Sequence, residues 1–405
     1  MFYHDGIHAQ RRHGHNCRGS VLTLSLFVAL LILTIAAGVL SLTVHSQTFS
    51  ARAAQHISAR AAADAGMAYA LVTINSKTGP CTWNDAALPQ ATKLSLPNTE
   101  ATFSYNVSGS EAAGYAIAST GSVAPLSHTV TATLLVKGVF DMAILVGDKL
   151  TMGNNTVIDG FNSADPLDTT RDVTVATLSA DKESITLGTA VLNADVFVGV
   201  GGDVDKVITG GTINGETAAL TEPIILDPVS APVLPDLGVL NVTVDRTISP
   251  AHNGQYDSIT ISNSKTLTID GGDVVVHCTG DLKMENGTQI TIKSGSTLTL
   301  YIGGNIDTGN SNGIGNENPG PSAFKLVSTT TAPRNYVLKN NTSMFGVIYA
   351  PNANIELHNN GDICGAVVAN RFAMKNNGTF LYDEALQNAV ATDPGAKFVI
   401  HYWSE

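Results

Sequence analysis

The sequence predicts a mainly β protein on one long N-terminal α-helix, with a small antiparallel sheet followed by a right-handed parallel β-helix (a solenoid). Three observations predict it. An uncharged run of 24 residues, Val21 to Val44, is followed by an Ala-rich segment, and the first proline is Pro80. Three segments between residues 101 and 137 alternate apolar and polar side chains, with glycine-bearing turns between them. Beyond Gly138, apolar pairs spaced two residues apart alternate with Gly, Asn and Asp for about 250 residues. The expected divisions are 1–19 (leader), 20–76 (helix), 77–138 (small sheet) and 139–405 (β-helix).

The helix comes first. A run of 24 apolar or uncharged residues exceeds the roughly 20 needed to cross a bilayer core. In hydrocarbon, a helix is the form in which one isolated segment satisfies its own backbone. The Ala-rich continuation has high helix propensity, so one helix from Ser20 to Ser76 is expected, half in the membrane and half in water. Arg52, His56, Arg60 and Asp64 recur every four residues along one polar row, and Arg60/Asp64 is a stabilising i,i+4 pairing. The surrounding alanines and Gly66 permit close helix packing. The bland alternative is a helix docked on its own β domain, which Met67, Tyr69, Leu71 and Val72 suit.

The leader carries Arg11, Arg12 and Arg18 against the single acid Asp5, so the N-terminus is expected to stay cytoplasmic and the remainder to be exported. A cleaved secretory signal fits less well, because its apolar core is normally about 7 to 15 residues. His4, His8, His13 and His15 lack regular ligand spacing and read as solvated.

Composition excludes several function classes. A net charge of -12 with no basic stripe argues against nucleic acid. Four cysteines without CxxC or Cys/His spacing argue against structural zinc. Of the three beyond the membrane run, buried free thiols are the favoured reading, and Cys278 and Cys364 are the first candidates if one disulfide forms. Most acids sit beside glycine or asparagine, as in Asp159-Gly160 and Asp270-Gly271, where turn formation accounts for them. Gly201-Gly-Asp-Val-Asp205 lacks further ligands at a calcium-loop spacing. No catalytic residue, cofactor or metal site is expected.

Arg18-Gly19-Ser20 directly before the apolar run resembles the class III leader of type IV pilins and pseudopilins, which a prepilin peptidase cuts after the glycine. The run followed by ARAAADAGMAYAL, with Ala63-Asp64-Ala65-Gly66, is similar to the N-terminal domain of PilX-type minor pilins. The resemblance covers about sixty residues. It implies Gly19/Ser20 as the processing site, and other pilin or pseudopilin subunits, the peptidase and the inner membrane as partners. It departs from the family in one place: the usual glutamate at the fifth mature position is Leu24 here. That glutamate pairs with the neighbouring subunit's amino terminus, so its absence favours a cap or primer role, and equally permits a plain anchor.

After the helix, Thr78-Gly-Pro80 is a breaker, and Trp83 to Thr99 reads as an irregular loop. In the β-helix region, Asn340-Asn341, Asn359-Asn360 and Asn376-Asn377 are placed to stack as side-chain ladders. The proline-rich stretch Glu222 to Gly238 is either an excursion or a seam, and KFVIHYWSE is expected to lid the last coil. A β-sandwich is the competing architecture. Phe345 to Leu386 resembles a bacterial domain that often follows PilX-like segments, through Gly346–Asn352, Gly365–Ala369 and Tyr382–Leu386; it brings no activity with it.

The function expected is a structural minor pilin or pseudopilin-like component, not an enzyme, displaying a non-catalytic body outside the inner membrane. The alternatives are a membrane-anchored adhesive surface protein and, behind it, a carbohydrate-active β-helix enzyme.

Overall fold

In the computed structural model, residues 20–79, 83–165, 167 and 172–404 are described. Gly19, Cys17 and Cys81 lie outside them, and the side chain of Ser20 is likewise not described. The helix α1 spans Ser20–Asn75, 56 residues without a break. It is followed by the strands β1 (Gln90–Ser95), β2 (Thr102–Ser110), β3 (Gly114–Val123) and β4 (Leu126–Lys137). The chain divides into two compact units, and the division passes through α1 and this sheet. Among the described residues, the first unit takes those within 20–66, 92–104 and 119–130, and the second those within 67–91, 105–118 and 131–404.

In the first unit, α1 buries a small-residue stripe of Ala59, Ala62, Ala63 and Gly66. Ser119 Oγ donates to the Ala63 carbonyl at 2.7 Å. A side chain at Gly66 would collide with Ser119 and Phe103, and one at Gly121 would collide with the helix backbone at Ala59–Ala63. Small residues at these contacts therefore set the approach distance of helix and strands.

In the second unit, α1 buries Met67, Ala70 and Ile74. The sheet has five strands rather than three, in the order β1-β2-β3-β4 and then Lys397–Ser404. The region expected to be an irregular loop thus contains β1. The segment expected to lid the last coil instead pairs antiparallel with β4, Phe398 opposite Val136 and Trp403 opposite Ala132. Asn75 fixes it by two hydrogen bonds: Phe398 N–H donates to Asn75 Oδ1 (2.7 Å), and Asn75 Nδ2 donates to the Phe398 carbonyl (3.0 Å). Trp83, Tyr115 and Phe398 pack with ring centroids 4.9–5.5 Å apart, and Tyr115 OH and Trp83 Nε1 both donate to Asp85.

The remaining strands form one 23-stranded sheet whose pairings are parallel wherever their register is defined. The expected right-handed β-helix, wound coil upon coil in chain order, is overturned by the order of its ladders. Val239–Val242 pairs with Ser258–Ile261, and the series continues through Leu282–Met284, Ile306–Thr308 and Arg334–Leu338 to the long strands Ser343–Leu357 and Asp362–Met374. There the chain ends its run, and the next partner of Asp362–Met374 is Ile144–Met152, from more than 200 residues earlier. Ile185–Leu192 and Ile208–Ile213 follow outward from it. The body therefore starts in mid-stack, builds to one end, and crosses through residues 220–238 to the opposite end. It then fills in back towards its own beginning.

The inward column of one ladder shows why these strands stack: Leu240, Ile259, Leu282, Ile306, Tyr336, Ile355, Phe372, Leu150 and Ile185 are all buried. Each such aliphatic or aromatic side chain contributes about 1.5–3 kcal/mol on burial. At the turns, Asn341, Asn360, Asn377 and Asn155 take left-handed backbone angles (φ 54–59°), which asparagine tolerates better than most residues. Their amides form a ladder: Asn360 Nδ2 to Asn341 Oδ1 (3.2 Å), Asn377 to Asn360 (3.3 Å) and Asn155 to Asn377 (3.2 Å).

Cys278 and Cys364 are free thiols, so the possible Cys278–Cys364 bridge is not formed. Register explains it. Cys278 lies beside Ile302, whose strand is followed by Phe324–Ser328, Ser343–Leu357 and then Cys364's own strand. Four steps of about 4.8 Å keep the cysteines at least roughly 19 Å apart along the stack, far beyond the ~7 Å Cα limit for a bridge. Burial pushes the Cys278 thiol up to about 11 and, with help from Asp383, the Cys364 thiol up to about 12.

Candidate functional site

The surface with the plainest physical meaning is the first half of α1. From Val21 to Val44 its large apolar side chains, including Leu24, Phe27, Leu31 and Ile32, are all exposed. No residue in the window apolar enough to cross a membrane is buried within the chain. Twenty-four residues at about 1.5 Å each give a length of roughly 36 Å, enough for a hydrocarbon core of about 30 Å. Three of its hydroxyls are satisfied within the helix: Ser25, Thr34 and Thr43 donate to carbonyls three or four residues back at 2.8–2.9 Å. A continuous helix satisfies its interior backbone groups without water, as a lipid environment requires. It is compatible with a single-pass membrane anchor.

Past Val44 the exposed face stays partly apolar. Phe49 is 75% and Ile57 70% exposed. Arg52, His56 and Arg60 are exposed, and Asp64 is half-buried. Of the residues singled out for helix packing, only Gly66 is buried, and it faces the chain's own Phe103 and Ser119. Of the expected processing position, Ser20 is the first described residue of α1 and Gly19 lies outside the described residues.

Sequence reasoning missed a covered face on the sheet body. The outward column Tyr301, Val327, Tyr349, Val368, Leu145 and Ala176 is buried rather than wet. The crossing segment covers part of it: Ile224, Leu226, Val229 and Ala231 pack against the core, and Tyr349 OH donates to the Asp227 carbonyl at 2.7 Å. Lys397 reaches Asp227 at 2.7 Å. Lys325, on a neighbouring strand, makes a 2.7 Å ion pair with Asp393, both side chains only 15% exposed. Elsewhere, Asp203 is engaged by Lys206 at 2.6 Å, and that lysine holds its carboxyl below the usual range. Among the described residues no three His, Cys, Asp or Glu side chains are grouped to hold a metal ion.

The geometry defines a class: a helix able to enter a membrane, bearing a small sheet and a body of parallel ladders. A family described as a domain of unknown function (DUF7305) matches residues 236–389. No curated protein matches the chain. Similar solved structures include the ice-binding protein_1 DUF3494 domain of Shewanella frigidimarina, at 13% identity over 62% of this chain and 98% of that one (TM-score 0.29). Another is the competence-associated pilin ComZ from Thermus thermophilus, at 13% identity over 86% of this chain and 96% of that one (TM-score 0.23). A third is the ice-binding protein of the Antarctic ascomycete Antarctomyces psychrotrophicus, at 14% identity over 60% and 94% (TM-score 0.28).

Proposed function

We propose that this chain is a non-catalytic, PilX-type minor pilin or pseudopilin-like subunit, held by α1 in the inner membrane before assembly and displaying its sheet body outside it. The observation that carries the reading is one uninterrupted helix with an exposed apolar first half and a second half whose buried stripe packs on a small sheet. An unsheathed apolar helix of this length needs lipid or other helices around it. The same helix serves both states if it passes from bilayer to a bundle of subunits. Leu24 supplies no carboxylate for a neighbour's amino terminus, which suits a subunit at the end of a fibre, where an unpaired buried charge is costly.

The arginines of the leader favour a cytoplasmic N-terminus, where a prepilin peptidase would cut between Gly19 and Ser20. Intact mass of the chain isolated from membranes tests this. A mature chain beginning at Ser20 supports the proposal; a terminus still carrying residues 1–19 supports a plain membrane-anchored surface protein instead.

A further inference from the structure

One outward face of the sheet body carries a cleft of about 350 Å³ that the assembly reading does not use. It lies where Gly313–Asn316, Ser343–Leu357, Asp362–Met374 and Thr379–Asp383 run side by side. Register sorts the outward side chains into two columns. One is polar, Ser343 beside Asp362 beside Thr379; the other is apolar, Phe345 beside Cys364 beside Leu381. Neighbouring members stand about 4.8 Å apart. The cleft opens at Gly315, where an added Cβ would find its nearest neighbour, the Ile290 carbonyl oxygen, 4.0 Å away.

We propose that this cleft binds a neutral pyranose ring, with its C–H face on Phe345 and Leu381 and its hydroxyls on Ser343, Asp362 and Thr379. The polar column is equipped for hydroxyl groups. Asp362 Oδ1 already accepts the Thr379 N–H at 3.0 Å, which fixes the carboxylate and leaves Oδ2 for a ligand. Ser343 and Thr379 supply hydroxyls that both donate and accept. Among the described residues no cation lines the cleft, so an anionic ligand finds no counter-charge in that lining. Its size sits at the low end of small-molecule sites, about 300–1,000 Å³. A stable protein partner would need a surface of roughly 1,200 Å² or more.

The test uses the full chain in a detergent without a sugar headgroup, with saturation-transfer NMR against the methyl glycosides of glucose, galactose, mannose and N-acetylglucosamine. The expected result is saturable, millimolar binding of at least one of them. Phe345→Ala should weaken it, and so should Gly315→Leu, which fills the cleft from an unobstructed position, each by about tenfold or more. The melting temperature of Gly315→Leu should match the parent chain, so that loss of binding is not loss of fold. The proposal is overturned if none of the four glycosides binds, or if Gly315→Leu binds them as the parent does. It is equally overturned if tetramethylammonium, and no glycoside, occupies the cleft.

Discussion

Ile32 stands near the middle of the Val21–Val44 run and is 60% exposed. If that run crosses a bilayer, Ile32→Arg places a guanidinium near the midplane. An arginine at a helix centre costs about 2.5–3.5 kcal/mol, and the lost isoleucine contributed about 0.3–0.6 kcal/mol. The sum, roughly 3–4 kcal/mol, shifts the membrane partition by two to three orders of magnitude. Val21→Arg is the control, since an arginine at the end of the run can reach the headgroups. Alkaline carbonate extraction of membranes expressing each chain, followed by quantitation of pellet and supernatant, reads the shift. Parent and Val21→Arg should stay in the pellet, and Ile32→Arg should move largely to the supernatant. Equal retention of all three, or release of the parent chain, would refute the membrane role of this segment.

Other consequences concern the sheet body. Asp393→Ala leaves Lys325 largely buried without its partner and should cost about 3 kcal/mol, read as a lower urea midpoint; the double change Lys325→Met/Asp393→Leu should recover most of the loss. Cys278 and Cys364 have folded-state values raised to about 11 and about 12 from an ordinary value of 9.0. Below pH 9 their contribution is whole. As pH climbs from there, the unfolded chain loses these protons first, so stability falls until the folded values are passed. Melting curves between pH 8 and pH 11 should show that fall, and Cys278→Ala should lessen it; a flat profile contradicts it.

Much of the architecture was legible in the sequence because its causes are local. The proline-free run into Ala-rich helix formers gives the unbroken helix and its end, Asn75 against the expected Ser76. The period-two pairs beyond Gly138 mark strands that the structure contains. Asparagine pairs mark the left-handed turns at Asn341, Asn360 and Asn377. What could not be read was non-local. Nothing in Ile144–Met152 announces that its partner lies more than 200 residues ahead, since parallel ladders fix register by matching apolar columns and many columns match.

The covered face did leave a signal. Leu298–Ile302, Val347–Ala350 and Ala366–Ala369 are not alternating but largely continuous apolar runs, as expected of strands buried on both sides. Such runs forecast a covering segment, and Glu222 to Gly238 is the stretch long and extended enough to supply one. The C-terminal strand escaped notice because its partner, β4, lies some 260 residues earlier. As for the exposed cleft, its glycine is one of 38 in the chain and has no distinguishing neighbour in the sequence.

A subunit of a fibre should meet its neighbours through the exposed flank of α1, and a photo-crosslinking amino acid at Ile57 or Phe49 tests that contact where it should occur. Both positions lie beyond the apolar run and point away from the chain's own core. Irradiation of cells followed by shearing and mass spectrometry should recover adducts with other pilin-type subunits in the membrane and fibre fractions. Adducts confined to lipid or to this chain alone, with none in sheared fibres, would contradict it.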